Sequence, residues 1–251
     1  MKYLSEFGFH PDAIYGTSVG ALNAVGYAYQ GISGLEKVWR NIKGKTNIIS
    51  FNWLSLILKS KGLYNTKPLR KILEKNIVGS PTCDIYVCKV SLITGKIKYG
   101  HDSEIDFISS VEASATIPGI MAPIDDEWVD GGVREQTPLK QAILDGTDKM
   151  IVILCNPLEY EQSERKVGNW ISNALRTIDI LTHEIFINDI QTCLECNKEK
   201  DKKFIELAVY APSYIMHDTL DFDSEKIANG IQLGYETAIK GPIITTSLGT
   251  K

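Results

Sequence analysis

The run Gly16-Thr17-Ser18-Val19-Gly20 sets one hydroxyl between two glycines at G-x-S-x-G spacing. The apolar Ala13-Ile14-Tyr15 precedes it, and the small, mostly apolar Ala21, Leu22, Ala24, Val25 and Ala28 follow, so the order reads strand, tight turn, helix. Glycines at 16 and 20 let the backbone turn sharply without a Cβ clash, which would present Ser18 Oγ at the carboxyl edge of a sheet, near the positive end of the next helix. That arrangement is a nucleophile elbow; the plainer reading is a small-residue turn that only serves close packing of strand and helix. A serine hydroxyl is a weak nucleophile and needs a base within hydrogen-bond reach. Of the four histidines, only His217 comes late enough for the usual serine-hydrolase order, whereas His10, His101 and His183 read as surface or packing residues. Asp130-Gly131-Gly132 is the second informative cluster, delivered by the short apolar Trp128-Val129. Its two glycines let the carboxylate approach another backbone segment closely, although Asp-Gly is also a common hairpin turn.

The elements that would position these groups follow from punctuation and periodicity. Met1 to Gly8 has the spacing of a helix end, with Leu4 and Phe7 on one side and Gly8 at the C-terminal cap. Thr66 before Pro68 predicts a capped helix over the following residues, the threonine accepting from first-turn N–H groups. Ile85 to Val90 and Lys96 to Tyr99 read as two strands joined by a turn at Thr94-Gly95. A helix from Thr137 ends near Gly146, and Met150 to Leu154 has the continuous apolar character of a strand buried on both faces. Asn169 to Cys196 is a long helical pattern, Phe204 to Tyr210 a strand, and Ser224 to Lys240 a closing helix with Ile227, Ile231, Leu233 and Tyr235 as core positions. Alternating strands and helices imply an α/β layered fold with a central, mainly parallel sheet flanked by helices. No repeat or Pro/Ser-rich linker divides the chain, so residues 1–251 are expected to form one domain.

The balance of 27 basic and 31 acidic residues leaves a net charge of −4, too acidic for a broad nucleic-acid footprint. No apolar run approaches the ~18 residues of a spanning helix and no secretory h-region opens the chain, so a soluble cytoplasmic protein is expected. Five scattered cysteines fit reduced thiols better than a disulfide framework. Cys193-Leu194-Glu195-Cys196 has no second pair to complete a zinc site, and His183-Glu184 lacks a second histidine because Ile187 stands in its place. Neither metal nor cofactor is implied. The stretch Ile48 to Leu58, flanked by Lys43, Lys45, Lys59 and Lys61, could rest transiently on a membrane surface or line an acyl channel through Trp53, Leu54 and Ile57; it reads equally well as a helix packed on the core.

Gly16-Thr17-Ser18-Val19-Gly20-Ala21-Leu22-Asn23-Ala24 resembles the nucleophile segment of the patatin-like phospholipases. Ala113-Ser114-Ala115-Thr116-Ile117-Pro118-Gly119 followed by Val129-Asp130-Gly131-Gly132-Val133 is similar to that family's acid segment, in the same order. Pro138-Leu139, Ile151-Val152-Ile153 and Gly230 to Ala238 continue the likeness. The resemblance implies a patatin-like fold and a Ser–Asp dyad without histidine, in which Asp130 takes the proton from Ser18 and Ser18 attacks a lipid acyl ester. Gly16, Gly20, Gly131 and Gly132 would support that approach, and the Val19 N–H would serve the oxyanion. The family also carries a strand and a glycine-rich oxyanion loop ahead of the elbow, which the stretch before Gly16 lacks. The alternative expectation is therefore a catalytically weak or inactive member that binds lipid or a partner.

Overall fold

The computed structural model describes residues 1–52, 62–158, 168–198, 204–214 and 220–246. The chain opens with a short helix, α1 (Lys2–Glu6), after which Gly8 takes a positive φ of 78°. β1 (Ala13–Gly16) runs into α2 (Val19–Asn41), which is interrupted at Gly31, where φ is 65° and ψ 177°. A two-stranded ribbon follows, β2 (Ser50–Phe51) against β3 (Tyr64–Asn65), and leads into α3 (Lys67–Asn76). Next come β4 (Asp84–Ser91), β5 (Ile97–His101), α4 (Phe107–Ser114) and β6 (Trp128–Asp130). The remaining elements are α5 (Leu139–Leu144), β7 (Lys149–Ile153), α6 (Trp170–Cys196), β8 (Glu206–Tyr210), α7 (Ser224–Lys240) and β9 (Ile244–Thr246).

β4 organises the amino-terminal sheet. Along one edge it pairs antiparallel with β5, from Tyr86 opposite His101 to Val90 opposite Ile97, and the hairpin turns at Gly95 with φ 69° as the Thr94-Gly95 signal predicts. With that edge filled, β1 and β6 share the other. β1 lies parallel along Asp84 to Val87, and β6 lies antiparallel along Ser91 to Lys89. Their carboxyl ends consequently meet head-on beside Cys88. β7 and β8 form a second parallel pair, extended by antiparallel β9. The α/β class stands, with mixed pairing: parallel pairs arise where helices intervene, and hairpins and short returns supply antiparallel ones.

Two apolar clusters hold these layers. The larger packs α2, α3 and α4 on β1 and β4 through Ala21, Val25, Leu69, Ile85, Val87 and Val111. The other joins α5, β7, α6 and β8 through Leu139, Val152, Phe186, Ile190 and Leu207, with Tyr15 of β1 packed against it.

Several local expectations change. β7 alternates instead of being buried on both faces, since Met150 and Val152 are buried while Ile153 is 48% exposed. Thr66 does stand at the N-cap of α3, yet its hydroxyl makes no cap bond and donates instead to Glu112 at 2.6 Å. A charged carboxylate is the stronger acceptor, and both groups are buried, so the tertiary bond wins over the local one. The described part of the Ile48 to Leu58 stretch is not helical: Ile48 and Ile49 are core residues and Ser50–Phe51 is β2. Trp53, Leu54 and Ile57 lie outside the described residues. On α7, Asp223 caps the helix by accepting from the Glu225 and Lys226 N–H groups; Ile227 is buried and Ile231 packs on the core, while Leu233 and Tyr235 are only half-buried. Among the described residues no helix is long and apolar enough to cross a membrane.

Candidate active site

Gly16 ends β1, and a Cβ there would stand 2.7 Å from the backbone N and Cα of Ala21. Only glycine lets the helix begin this close to the strand. Ser18, the N-cap of α2, is forced to φ 57° and ψ −127°, a conformation that costs a non-glycine residue on the order of 1–3 kcal/mol. Its carbonyl is spent at once on the first turn, accepting from the Ala21 and Leu22 N–H groups. Val19 opens the helix, and its N–H is among the first-turn donors that have no intrahelical acceptor. Gly20 differs from Gly16, for a Cβ at Gly20 meets nothing within 4 Å.

The head-on meeting of β1 and β6 brings Asp130 to this turn. Asp130 is 6% exposed, and its Oδ1 accepts from the Gly132 N–H at 2.8 Å. The Ser18 side chain lies close enough to this carboxylate to pull its pKa down. Burial pushes its pKa from 3.8 up to about 7, with the Ser18 and Gly132 hydrogen bonds pulling partly the other way. Gly131 carries the chain directly over β4, where a Cβ would lie 2.7 Å from the Cys88 carbonyl carbon and oxygen and 2.4 Å from its Sγ. A Cβ on Gly132 would overlap the Gln136 side chain. Gly131 is therefore sterically required, whereas at Gly132 the end of the Gln136 side chain can swing aside. Thr17 Oγ1 donates to the Glu135 carbonyl at 3.2 Å, tying the elbow to the segment after Asp130. From α6, Asp189 accepts the Thr137 N–H at 3.2 Å and holds that segment from the other side. Burial raises Asp189 to about 6 and Cys88 to about 12, so the layer behind the turn favours neutral groups.

None of the three described histidines stands with Ser18. His10 is exposed ahead of β1. His101 sits at the far end of the β4–β5 hairpin, its Nδ1 engaged by the Ser103 hydroxyl and its ring against Tyr86. His183 is buried on α6, edge-on to Phe186, with its pKa lowered first by burial. His217 lies outside the described residues. All five cysteines are free thiols, including Cys193 and Cys196 on one helix. Sequence reasoning missed one group with metal-ligand spacing, Asp84, His101 and Asp102, at the opposite end of β4. Asp102 there already accepts the Ile85 N–H at 2.9 Å.

Sequence reasoning also missed α4. Every residue of it except Ile108 is buried, so no apolar stripe marks it, yet Ser114 at its end contacts the elbow. The signal that could have found it is the Ala113-Ser114-Ala115-Thr116 run, read as the end of a helix.

A serine at an elbow between a half-buried strand and a helix, facing a buried carboxylate, has the arrangement of a serine-hydrolase type of site on an α/β fold. The family model of the patatin-like phospholipases matches residues 1–143, a span that contains β1, the elbow, α4 and Asp130. The chain belongs to that family of lipid acyl hydrolases. The likenesses at Ile151 to Ile153 and Gly230 to Ala238 fall beyond the matched span. No curated protein matches the chain.

Proposed function

We propose that the protein hydrolyses carboxylic esters of lipids through a Ser18–Asp130 dyad, within one domain spanning residues 1–251. The observation that carries this reading is the placement of the Ser18 hydroxyl against a carboxylate whose burial brings its pKa to about 7. A carboxylate in that range is half ionised at neutral pH and basic enough to share the hydroxyl proton. Ser18 Oγ adds to the ester carbonyl while its proton passes to Asp130. The oxyanion forms at the Val19 N–H, at the positive end of α2. Collapse breaks the bond to the leaving alkoxide, which takes the proton from Asp130 and departs as the alcohol. Water then repeats the cycle on the acyl-Ser18 ester, giving a proton to Asp130, which returns it to Ser18 Oγ as the carboxylic acid leaves. Neither metal nor cofactor enters these steps.

Lipid substrate would reach the site through transient contact with a membrane surface from a soluble, cytoplasmic form. Trp53, Leu54 and Ile57, with Lys43, Lys45, Lys59 and Lys61 around them, are the residues suited to that contact. Each lysine near an anionic surface is worth at most ~1 kcal/mol, so binding would be reversible and salt-sensitive.

One observation favours a second reading, a weak or inactive member that binds lipid. Val19 supplies the one oxyanion donor identified among the described residues, and loss of a single such donor costs ~10²–10³ in rate.

Purified protein should hydrolyse a short-chain nitrophenyl ester, and Ser18→Ala should remove that activity. Asp130→Asn should abolish labelling of Ser18 by a fluorophosphonate, while His217→Ala leaves it unchanged. Equal background rates for wild type and Ser18→Ala would move the protein to the second reading, and dependence on His217 would replace the dyad by a triad.

A further inference from the structure

The carboxyl end of α4 touches both arms of the site. The Ser18 N–H donates to the Ser114 hydroxyl at 3.1 Å, and the Asp130 N–H donates to the Thr116 carbonyl at 2.9 Å. Ser114 and Thr116 are wholly buried, so water cannot substitute for either acceptor. Ser18 occupies a strained conformation from which a serine relaxes unless its peptide groups are held. Rotating the Thr17–Ser18 peptide out of that conformation would carry the N–H away from the buried Ser114 hydroxyl and break the bond between them.

We propose, resting on the dyad reading above, that Ser114 is a positioning residue whose hydroxyl accepts the Ser18 N–H and so keeps Ser18 Oγ aimed at Asp130. Thr116 sets the other member of the pair from the same short segment. A single anchored element thereby fixes the separation of two residues delivered by different strands. α4 is well placed for this because it is itself fastened: the Glu112 carboxylate receives the Arg70 guanidinium at 2.9 Å and the Thr66 hydroxyl at 2.6 Å. Arg70 also donates to Ser109 at 3.0 Å, one turn earlier on α4. Any slide or rotation of α4 breaks these bonds before it reaches the elbow.

Ser114→Ala tests the assignment with almost no change of volume, since it removes the acceptor and keeps Cβ. The experiment measures kcat and KM on a soluble nitrophenyl ester, the rate of fluorophosphonate labelling, the pH–rate profile and Tm, alongside Ser18→Ala and Asp130→Asn. Misalignment of the nucleophile by about 1 Å predicts a ~10²-fold fall in kcat and in labelling rate, with KM little changed. The acidic limb of the profile should move to higher pH, because the Ser18 hydrogen bond that holds the Asp130 pKa down is loosened. Retention of wild-type kcat and pH midpoint by Ser114→Ala, while Ser18→Ala and Asp130→Asn are inactive, overturns the positioning role and leaves the dyad intact. A fall in kcat with a matching collapse of Tm and an unmoved pH midpoint also overturns it, assigning Ser114 to packing alone. Full activity in Asp130→Asn defeats the dyad reading, and the positioning role with it.

Discussion

Replacing Asp130 by asparagine preserves the side-chain shape and the acceptance of the Gly132 N–H, but it removes an ionisation that the fold opposes. Burial raises the Asp130 pKa from 3.8 to about 7, so the folded chain holds this proton more tightly than the unfolded chain does. The contribution to stability is fully present below the unfolded value and is lost as pH rises through the folded value. A tenfold change in proton affinity corresponds to about 1.4 kcal/mol, so the difference between the folded and unfolded carboxyl is worth about 4 kcal/mol. Between about pH 5 and about pH 8 the linkage integral gives a loss of roughly 2–3 kcal/mol from this one group. The asparagine variant lacks that loss. Urea unfolding of both proteins across this range should therefore show the variant gaining roughly 2–3 kcal/mol on wild type from the acidic to the alkaline end. Comparing the two proteins cancels the other titrating groups, including Asp189, whose pKa is raised to about 6 and acts in the same direction. The gain in stability should accompany loss of labelling at Ser18. A stability difference that stays flat across the range would refute the claim that Asp130 is held in a desolvated site, and with it the basis for its strength as a base.

Three further outcomes follow from the geometry. Ser18→Gly should stabilise the protein by about 1 kcal/mol in urea unfolding, since glycine relieves the positive φ, while abolishing fluorophosphonate labelling; destabilisation would contradict strain at the elbow. Gly131→Ala should cost ~3 kcal/mol or more and reduce soluble yield, because its Cβ meets the Cys88 backbone, whereas Gly20→Ala, facing open space in a helix, should be neutral or stabilising by up to ~1 kcal/mol. Arg70→Ala should destabilise more than Glu112→Gln, by ~2 kcal/mol or more against ~1, because the first strands a buried charge and the second leaves only an arginine that is 40% exposed; equal losses would show that the pair acts through packing.

Features set within a few residues of chain were legible in the sequence. Ser18 between Gly16 and Gly20, the turn at Gly95, and the pattern of α6 each depend on spacing and backbone sterics that neighbours alone impose. Asp130 was different. On its own residues it reads better as a hairpin turn, and only the likeness of the surrounding motif singled it out. Tertiary structure supplies the reason: β5 occupies one edge of β4, so β1 and β6 are driven onto the other and converge beside Cys88, which no local pattern encodes. The same holds for Thr66, whose local role as a cap yields to a buried carboxylate brought from α4. It holds again for α4 itself, since a helix buried on nearly every side shows no amphipathic period, and its contact with the elbow exists only once two distant segments have packed. Local chemistry thus determined which residue stands at the elbow, while strand register and burial decided which groups face it and how readily they ionise.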